Sequence, residues 1–204
     1  MKTGEVVRGV LTHPLSTLEE MKHVRYINGR LSVGILLLWL FVSALSRQYT
    51  GFRFNLNNPS ELNIVIEAGV TIGVFLLFVL SNWGICSLMD GEGKMGEILT
   101  FCALALLPMI LVEALLIGLT NVMSLNEEVF ITWIRLFGQL WTAFLLFQAV
   151  RIAHRYSSLR SIAAIGLSVL GVMIILFLAL LVVSLFQQVV VFFQSIYTEL
   201  VFRK

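Results

Sequence analysis

Three ionisable residues, Glu67, Glu113 and Arg135, lie inside apolar stretches of this sequence. A charged side chain inside a bilayer is costly, so each is a candidate for a structural or functional role. All three lie about three to six residues inside the same end of their stretches, and their depths differ by about 5 Å at about 1.5 Å per residue. If the stretches are neighbouring helices, they form a Glu–Arg–Glu cluster. The cluster is either a structural ion pair or a polar cavity for a headgroup, an ion or a solute.

A second group of candidates surrounds the hairpin turn, the polar turn at residues 90–97 between the second and third apolar stretches. Its Gly-x-Gly pattern follows an apolar helix rather than a strand, which excludes a nucleotide-binding fingerprint. Its carboxylates could bind a cation, but glycines in a tight turn and an acidic residue at a helix start explain it structurally. The alternative is a docking surface for a cytoplasmic partner, formed with the basic loop that follows the fourth stretch. That surface would comprise Asp90, Gly91, Glu92, Gly93, Glu97, Arg151 and Arg155.

Other kinds of site chemistry have little support in the sequence. His13, His23 and His154 are scattered, and no zinc-protease, catalytic-triad or phosphate-loop pattern occurs, so we expect no enzyme activity, metal site or cofactor. Cys86 and Cys102 fall in apolar or membrane-adjacent sequence and are interpreted as small buried side chains, with a disulfide or metal pair as the alternative. The net charge of +2 gives no support for nucleic acid as a partner.

The elements that must position these residues are membrane helices. The chain of 204 residues is 58% hydrophobic and 13% charged, whereas a soluble domain carries about 25% charged residues. Five apolar stretches approach or exceed the roughly 20 residues needed to cross a bilayer. The sequence therefore predicts an all-α polytopic membrane protein, with an amphipathic N-terminal segment at 1–30 and a five-helix transmembrane domain at 31–204. The spans are expected at roughly residues 31–49, 64–89, 97–119, 129–149 and 162–186, the last with a helical extension to about residue 202.

Local signals refine these elements. Pro108 removes a backbone hydrogen bond and is expected to kink the third span. Gly69 and Gly73 form a small-x-x-x-small pair that would let another helix approach closely. Ser16 and Glu19 have the form of a capping box, which starts a helix in the N-terminal segment. This segment is expected to lie on the membrane surface with its basic residues facing anionic headgroups, or else to be a solvated lead-in.

The distribution of basic residues predicts the orientation. Nine Lys and Arg residues fall on one set of alternate loops and four on the other. Because cytoplasmic loops carry an excess of Lys and Arg, the N-terminus is expected in the cytoplasm and the C-terminus outside the cell membrane. An odd number of spans agrees with this arrangement, which places the hairpin turn on the cytoplasmic side.

The chain resembles the Yip1 family of membrane proteins. The hairpin carries the match with Gly91, Glu92, Gly93, Glu97 and, about eleven residues further on, Pro108. His13-Pro14 followed by a short helix is similar to the lead-in of the shorter prokaryotic members. The resemblance implies a five-span membrane protein. In eukaryotic members, a long polar N-terminal region is associated with the binding of prenylated small GTPases and with vesicle traffic. This chain departs from those members because it lacks that region.

The function expected from these observations is non-enzymatic. We expect an integral membrane protein that acts in membrane organisation or as an accessory or interaction subunit of a membrane complex. Its expected partners are membrane lipids, and other membrane proteins or a second copy of the chain. The alternative is a small transporter or lipid-handling permease that uses the cluster of Glu67, Glu113 and Arg135.

Overall fold

The protein is an all-α bundle, as predicted. The computed structural model describes residues 2–55 and 61–202, and this part of the chain contains helices and no strand. The helices are α1 (Thr3–Thr12), α2 (Pro14–His23), α3 (Gly29–Tyr49), α4 (Ile64–Ala68), α5 (Val74–Leu88), α6 (Met95–Ala105), α7 (Leu107–Val122), α8 (Glu128–His154) and α9 (Ser158–Phe202). A π-helical turn, Gly69–Gly73, joins α4 to α5, and a 3-10 turn, Leu125–Glu127, precedes α8.

Five stretches of helix are long and apolar enough to cross a membrane, which confirms the predicted architecture. They are Gly29–Tyr49, Ile64–Leu88, Met95–Val122, Glu128–His154 and Ser158–Glu199. The fourth differs from the prediction because α8 continues past residue 149 to His154, which carries Arg151 into the helix. The basic segment expected as a loop is therefore divided among the last turn of α8, which holds Arg151, the connection that follows, which holds Arg155, and the start of α9, which holds Arg160.

The two N-terminal helices pack against one end of the bundle. Val6 and Val10 of α1 and Leu18 and Met21 of α2 are fully buried. They belong to the same hydrophobic core as side chains of α3, α6 and α8. The apolar faces of α1 and α2 are therefore covered by the protein itself.

Helix α2 begins differently from the prediction. Pro14 is its first residue, and the hydroxyls of Ser16 and Thr17 both donate to the carbonyl oxygen of His13, at 3.1 and 2.9 Å. The predicted capping box of Ser16 and Glu19 is wrong. Proline suits the first helical position because its fixed φ matches the helix and its missing N–H would be unpaired there anyway.

The third span is interrupted near its middle. Helix α6 ends at Ala105 and α7 begins at Leu107, with Leu106 between them. Pro108 lies in the first turn of α7, where no backbone N–H is required of it. The interruption thus lies two residues before Pro108, and the carbonyl of Leu106 accepts the first hydrogen bond of α7 from Ile110 at 3.1 Å.

Helices α5 and α9 pack closely at Gly171. A Cβ at this position would overlap the Ser81 side chain and would lie 3.0 Å from Cδ1 of Ile85. The Ser81 hydroxyl donates to the carbonyl of Ser168 at 2.8 Å, which ties the two helices together in the same region. Gly166, one and a half turns earlier in α9, faces open space. The contact between the helices therefore depends on glycine at 171 and not at 166.

Helix α9 is much longer than a bilayer requires. Its 45 residues extend about 68 Å at about 1.5 Å per residue, against a hydrocarbon core of about 30 Å. Its first half packs on α5 and α8. Every residue from Leu176 to Glu199 is exposed in the chain. We call residues 176–199 the α9 extension.

We expect Gly171→Val to destabilise the bundle by about 1–3 kcal/mol, because an overpacked contact must be relieved by moving α9 away from α5. The melting temperature in detergent should fall by several degrees. Gly166→Val adds the same side chain to the same helix in open space and should melt within about 2 °C of the natural protein. Equal melting of the two variants would contradict the close contact at Gly171.

Candidate functional site

One face of α3 carries polar side chains near the end of the helix. Ser43, Ser46 and Arg47 are spaced three and four residues apart, which places them on one side of the helix. Polar groups that leave water need hydrogen-bond or ionic partners. Those partners come from other helices, and we call the whole group the polar site. It comprises Ser43, Ser46, Arg47, Glu67, Glu113 and Arg135.

Glu67 is the most buried member of the polar site, at 7% exposure. One carboxylate oxygen lies 2.7 Å from Nη1 of Arg47. The other accepts a short hydrogen bond from the Ser43 hydroxyl and a longer one, 3.5 Å, from Thr71. A buried carboxylate with a cation and two hydroxyl donors has its charge and its lone pairs satisfied. This pair holds α4 and the π-helical turn against α3.

Glu113 forms the second, weaker pair of the polar site. Its carboxylate lies 3.4 Å from Nε of Arg135, whose side chain is 43% exposed. The Ser46 hydroxyl approaches the other oxygen at 3.5 Å. Long and partly exposed ion pairs contribute little to stability, about 0–1 kcal/mol. This pair is therefore free to exchange partners at small cost.

A cavity of about 340 Å³ lies beside these two pairs. Its charged lining is Arg47, Glu113 and Arg135, and the hydroxyls of Ser43 and Ser46 also line it. Apolar side chains from α3 and α7 complete its wall, with Trp39, Val42 and Met109 among them. The cavity is large enough for a small polar molecule or a headgroup.

The predicted Glu–Arg–Glu cluster is divided into two pairs in the structure. Glu113 and Arg135 are brought together, whereas Glu67 pairs with Arg47. The sequence interpretation placed Arg47 at the end of the first span and did not identify it as a partner of Glu67. Arg47 lies four residues after Ser43 and one after Ser46, and this spacing could have placed its side chain on the polar face of the helix end.

A second group of buried polar residues, the histidine network, joins the hairpin turn to α5, α8 and α9. The ring of His154, 2% exposed, accepts the backbone N–H of Gly93 at Nδ1, 3.3 Å away. Its Nε2 lies 3.2 Å from Oδ1 of Asn82, and the Asn82 amide donates to Ser168 at 3.0 Å. The neutral tautomer with its proton on Nε2 satisfies both contacts of the ring.

Tyr156 packs against the histidine network through the ring of His154. Its ring stacks on that of His154 with centroids 5.3 Å apart, and its hydroxyl lies 3.1 Å from the carbonyl oxygens of Cys86 and Met89. Burial, and next the proximity of Cys86, raises the pKa of Tyr156 to about 12, so the hydroxyl stays protonated and donates. The phenol thus satisfies carbonyls at the end of α5.

The hairpin glycines are required for close approach. A Cβ at Gly91 would lie 2.5 Å from Nδ1 of His154 and 2.6 Å from the Tyr156 hydroxyl, and one at Gly93 would lie 2.7 Å from Cε1 of His154. Neither glycine has a positive φ; Asp90 takes that conformation, at 60°. The glycines therefore make room for the two rings, and the tight turn itself is formed at Asp90.

The seven residues of the expected docking surface are divided between the interior and the surface. Gly93 and Glu97 are buried, and Gly91 packs on the two rings. Asp90, Glu92 and Arg155 are exposed, and Arg151 is half-buried in the last turn of α8. Glu92 and Arg155 approach at 3.4 Å with more than half of each side chain exposed.

Glu97 is an internal anchor for the N-terminal segment. It is 3% exposed and its carboxylate lies 2.8 Å from Nζ of Lys22 on α2. The same oxygen accepts the backbone N–H of Lys94, 3.3 Å away, at the start of α6. The pair therefore fixes α2 on the hairpin, a contact between distant segments that the sequence interpretation did not anticipate.

No metal-binding cluster is found in the part of the chain that the structure describes. Within residues 2–55 and 61–202, no three His, Cys, Asp or Glu side chains are grouped so that they could hold an ion. Cys86 and Cys102 are both free and buried, in keeping with their interpretation as small internal side chains.

The fold and these sites define a five-span helical membrane protein with two short helices on one end of its bundle. A family model for the Yip1 domain matches residues 8–181, which is most of the chain. The chain belongs to the Yip1 family. The match ends within α9 and leaves out most of the α9 extension. Neither the curated proteins nor the solved structures gave a match to this chain.

Loss of the Arg47 cation, which pairs with the buried carboxylate of Glu67 at 2.7 Å, should be more damaging than loss of the Arg135 cation, whose pair is longer. Arg47→Leu leaves Glu67 buried without its cation and should cost about 3 kcal/mol. The double variant Arg47→Leu with Glu67→Leu should recover most of this loss. Arg135→Leu, the matched control, should cost less than about 1 kcal/mol. Thermal unfolding in the same detergent measures all of these variants, and an equal loss for the two single arginine variants would refute the assignment.

Proposed function

We propose that this protein is a non-enzymatic interaction protein of the cell membrane, acting in membrane organisation or as an accessory subunit of a membrane complex. The excess of basic residues on one set of alternate loops supports a cytoplasmic N-terminus and an external C-terminus. The observation that carries the proposal is the α9 extension. A long apolar helix whose residues all remain exposed in the described chain is suited to a partner.

The α9 extension has a polar stripe on one face. At about 100° per residue, the six side chains of the stripe fall within a single face of the helix. They are Ser184, Gln187, Gln188, Gln194, Ser195 and Thr198. The remaining surface is mostly Val, Leu and Phe. Hydroxyl and amide groups in transmembrane helices commonly hydrogen-bond to another helix.

A second copy of the chain is the partner that best fits this stripe. A glutamine side chain carries both donors and an acceptor, so two identical stripes complement each other. The stripe is uncharged from Ser184 to Thr198, so two copies meet there without repulsion between like charges. Gly69 and Gly73, where an added Cβ would meet no neighbouring atom, offer a further surface where another helix could approach.

Cysteine cross-linking tests the association through the stripe. In a background of Cys86→Ala and Cys102→Ala, Ser195→Cys should form a disulfide-linked dimer on mild oxidation in membranes. Phe193→Cys, two residues away and about 200° around the helix, should remain a monomer. A linked product that is not twice the chain mass would assign the stripe to another membrane protein. No cross-link at Ser195, or equal cross-linking at both positions, would contradict the proposal.

A second candidate function, a small transporter or lipid-handling permease, rests on the cavity beside the polar site. Charged and hydroxyl groups surround a volume of about 340 Å³ within the spans. Transport requires a polar cavity at membrane depth that is reachable from one side. The weak pair of Glu113 and Arg135 would be the part that opens to a solute or headgroup, because its contacts are long.

Reactivity with a membrane-impermeant thiol reagent tests the second function. In the same cysteine-free background, Ser46→Cys should react when the reagent is added outside, because Ser46 lines the cavity. Ser168→Cys, fully buried between α5 and α9, is the control that should not react. If Ser46→Cys is as unreactive as the control, the cavity is closed to water and the transporter function loses its support.

A further inference from the structure

Two adjoining cavities lie where α2, the hairpin turn and the end of α8 meet. The larger measures about 360 Å³ and the smaller about 210 Å³. Lys22, His23 and Arg155 line both of them. We call the two cavities together the basic cleft. Its complete lining is Glu19, Lys22, His23, Arg25, Glu92, Lys94, Glu97, Arg151, Ile152, Arg155 and Tyr156.

The basic cleft has an excess of positive charge. Five Lys and Arg residues face three carboxylates in its lining. One cation, Lys22, is already neutralised by its buried partner Glu97. In the described part of the chain, Arg25, Lys94 and Arg151 form no ion pair. Arg25 and Lys94 line the smaller cavity, and Arg151 lines the larger one together with Lys22, Arg155 and the carboxylate of Glu19. In each cavity the cations exceed the carboxylates by two, and such a lining is suited to an anion with several oxygens, such as a phosphate group.

Two arginines of the cleft occupy backbone positions where glycine is usual. Arg25 follows α2 with φ of 52°, and Arg155 ends α8 with φ of 54°. A left-handed residue after a helix is commonly glycine, because a side chain is strained in this conformation. An arginine at both positions is therefore unfavourable for the backbone and needs another reason. The cavity that both side chains line provides one.

The position of the cleft identifies the source of the phosphate. Arg151 and Ile152 belong to the last turn of a membrane-spanning helix, so the cleft lies at the level of the lipid headgroups. Ile152 and Tyr156 give it an apolar wall beside the cations. Basic pockets at the ends of membrane helices are suited to anionic headgroups. We propose that the basic cleft binds the phosphate of an anionic phospholipid headgroup.

The test measures lipid selectivity of the full chain reconstituted in phosphatidylcholine bilayers. Spin-labelled phosphatidylglycerol and spin-labelled phosphatidylcholine are compared by the fraction that the protein immobilises. We expect at least a threefold preference for phosphatidylglycerol. Arg25→Gly with Arg155→Gly should abolish the preference and melt at the natural temperature or above it, since glycine relieves both left-handed positions. This combination separates a ligand site from a structural role, which would lower the melting temperature.

Two further variants make the result specific. Lys94→Gln with Arg151→Gln removes two cations that form no ion pair and should also abolish the preference. Arg8→Gln with Arg30→Gln removes the same charge from exposed positions outside the cleft and should keep it. Equal affinity for both lipids in the natural protein, or equal loss in the control variant, would overturn the proposal.

A soluble phosphate is the alternative ligand for the basic cleft, and a separate measurement tests it. Inorganic phosphate is titrated onto the detergent-solubilised protein and binding is followed by calorimetry. The proposal expects weak binding of inorganic phosphate, at least tenfold weaker than that of short-chain phosphatidylglycerol. Tight phosphate binding that depends on Arg25 and Arg155, without any lipid preference, would assign the cleft to a soluble ligand. The outcome is independent of association through the α9 extension.

Discussion

The hydrogen bonds of the His154 ring are the contacts on which one whole end of the bundle depends. The ring joins Gly93 of the hairpin to Asn82 of α5, and Asn82 extends the connection to Ser168 of α9. A buried polar group without its partner costs about 1–3 kcal/mol. Loss of any one contact leaves another group unpaired, so these segments are held in a single arrangement. The end of α8 is fixed by the same contacts, and the basic cleft is built on it.

The opposite end of the bundle is organised by charge. Arg47 and Glu67 form a short pair with a buried carboxylate and added hydroxyl donors, whereas Glu113 and Arg135 form a longer pair. The first is suited to fixing helix rotation, because leaving Glu67 without its cation would be costly. The second leaves charge at the edge of a cavity. The same residue types therefore have different roles, and the pair distance, the hydroxyl donors and the burial of the carboxylate distinguish them.

The spans, the family and the candidate residues were accessible from the sequence, because apolar length and hairpin composition are local properties. The pairing of Glu67 with Arg47 was not, since it depends on which helix lies beside the end of α3. The contact of Lys22 with Glu97 was also missed, because its partners are 75 residues apart. His154 was interpreted as a scattered cytoplasmic residue, because the sequence does not show that Gly91 and Gly93 pack against its ring.

The interruption at Leu106 divides the third span into two helices with different surroundings. Helix α6 is anchored by the pair of Glu97 and Lys22, while α7 carries Met109 and Glu113 along the cavity wall. Because the span is broken at Leu106, its two halves are not held to one straight axis. The position of α7 beside the cavity is therefore set by its own packing against α3 and α8, and that of α6 by the hairpin and α2.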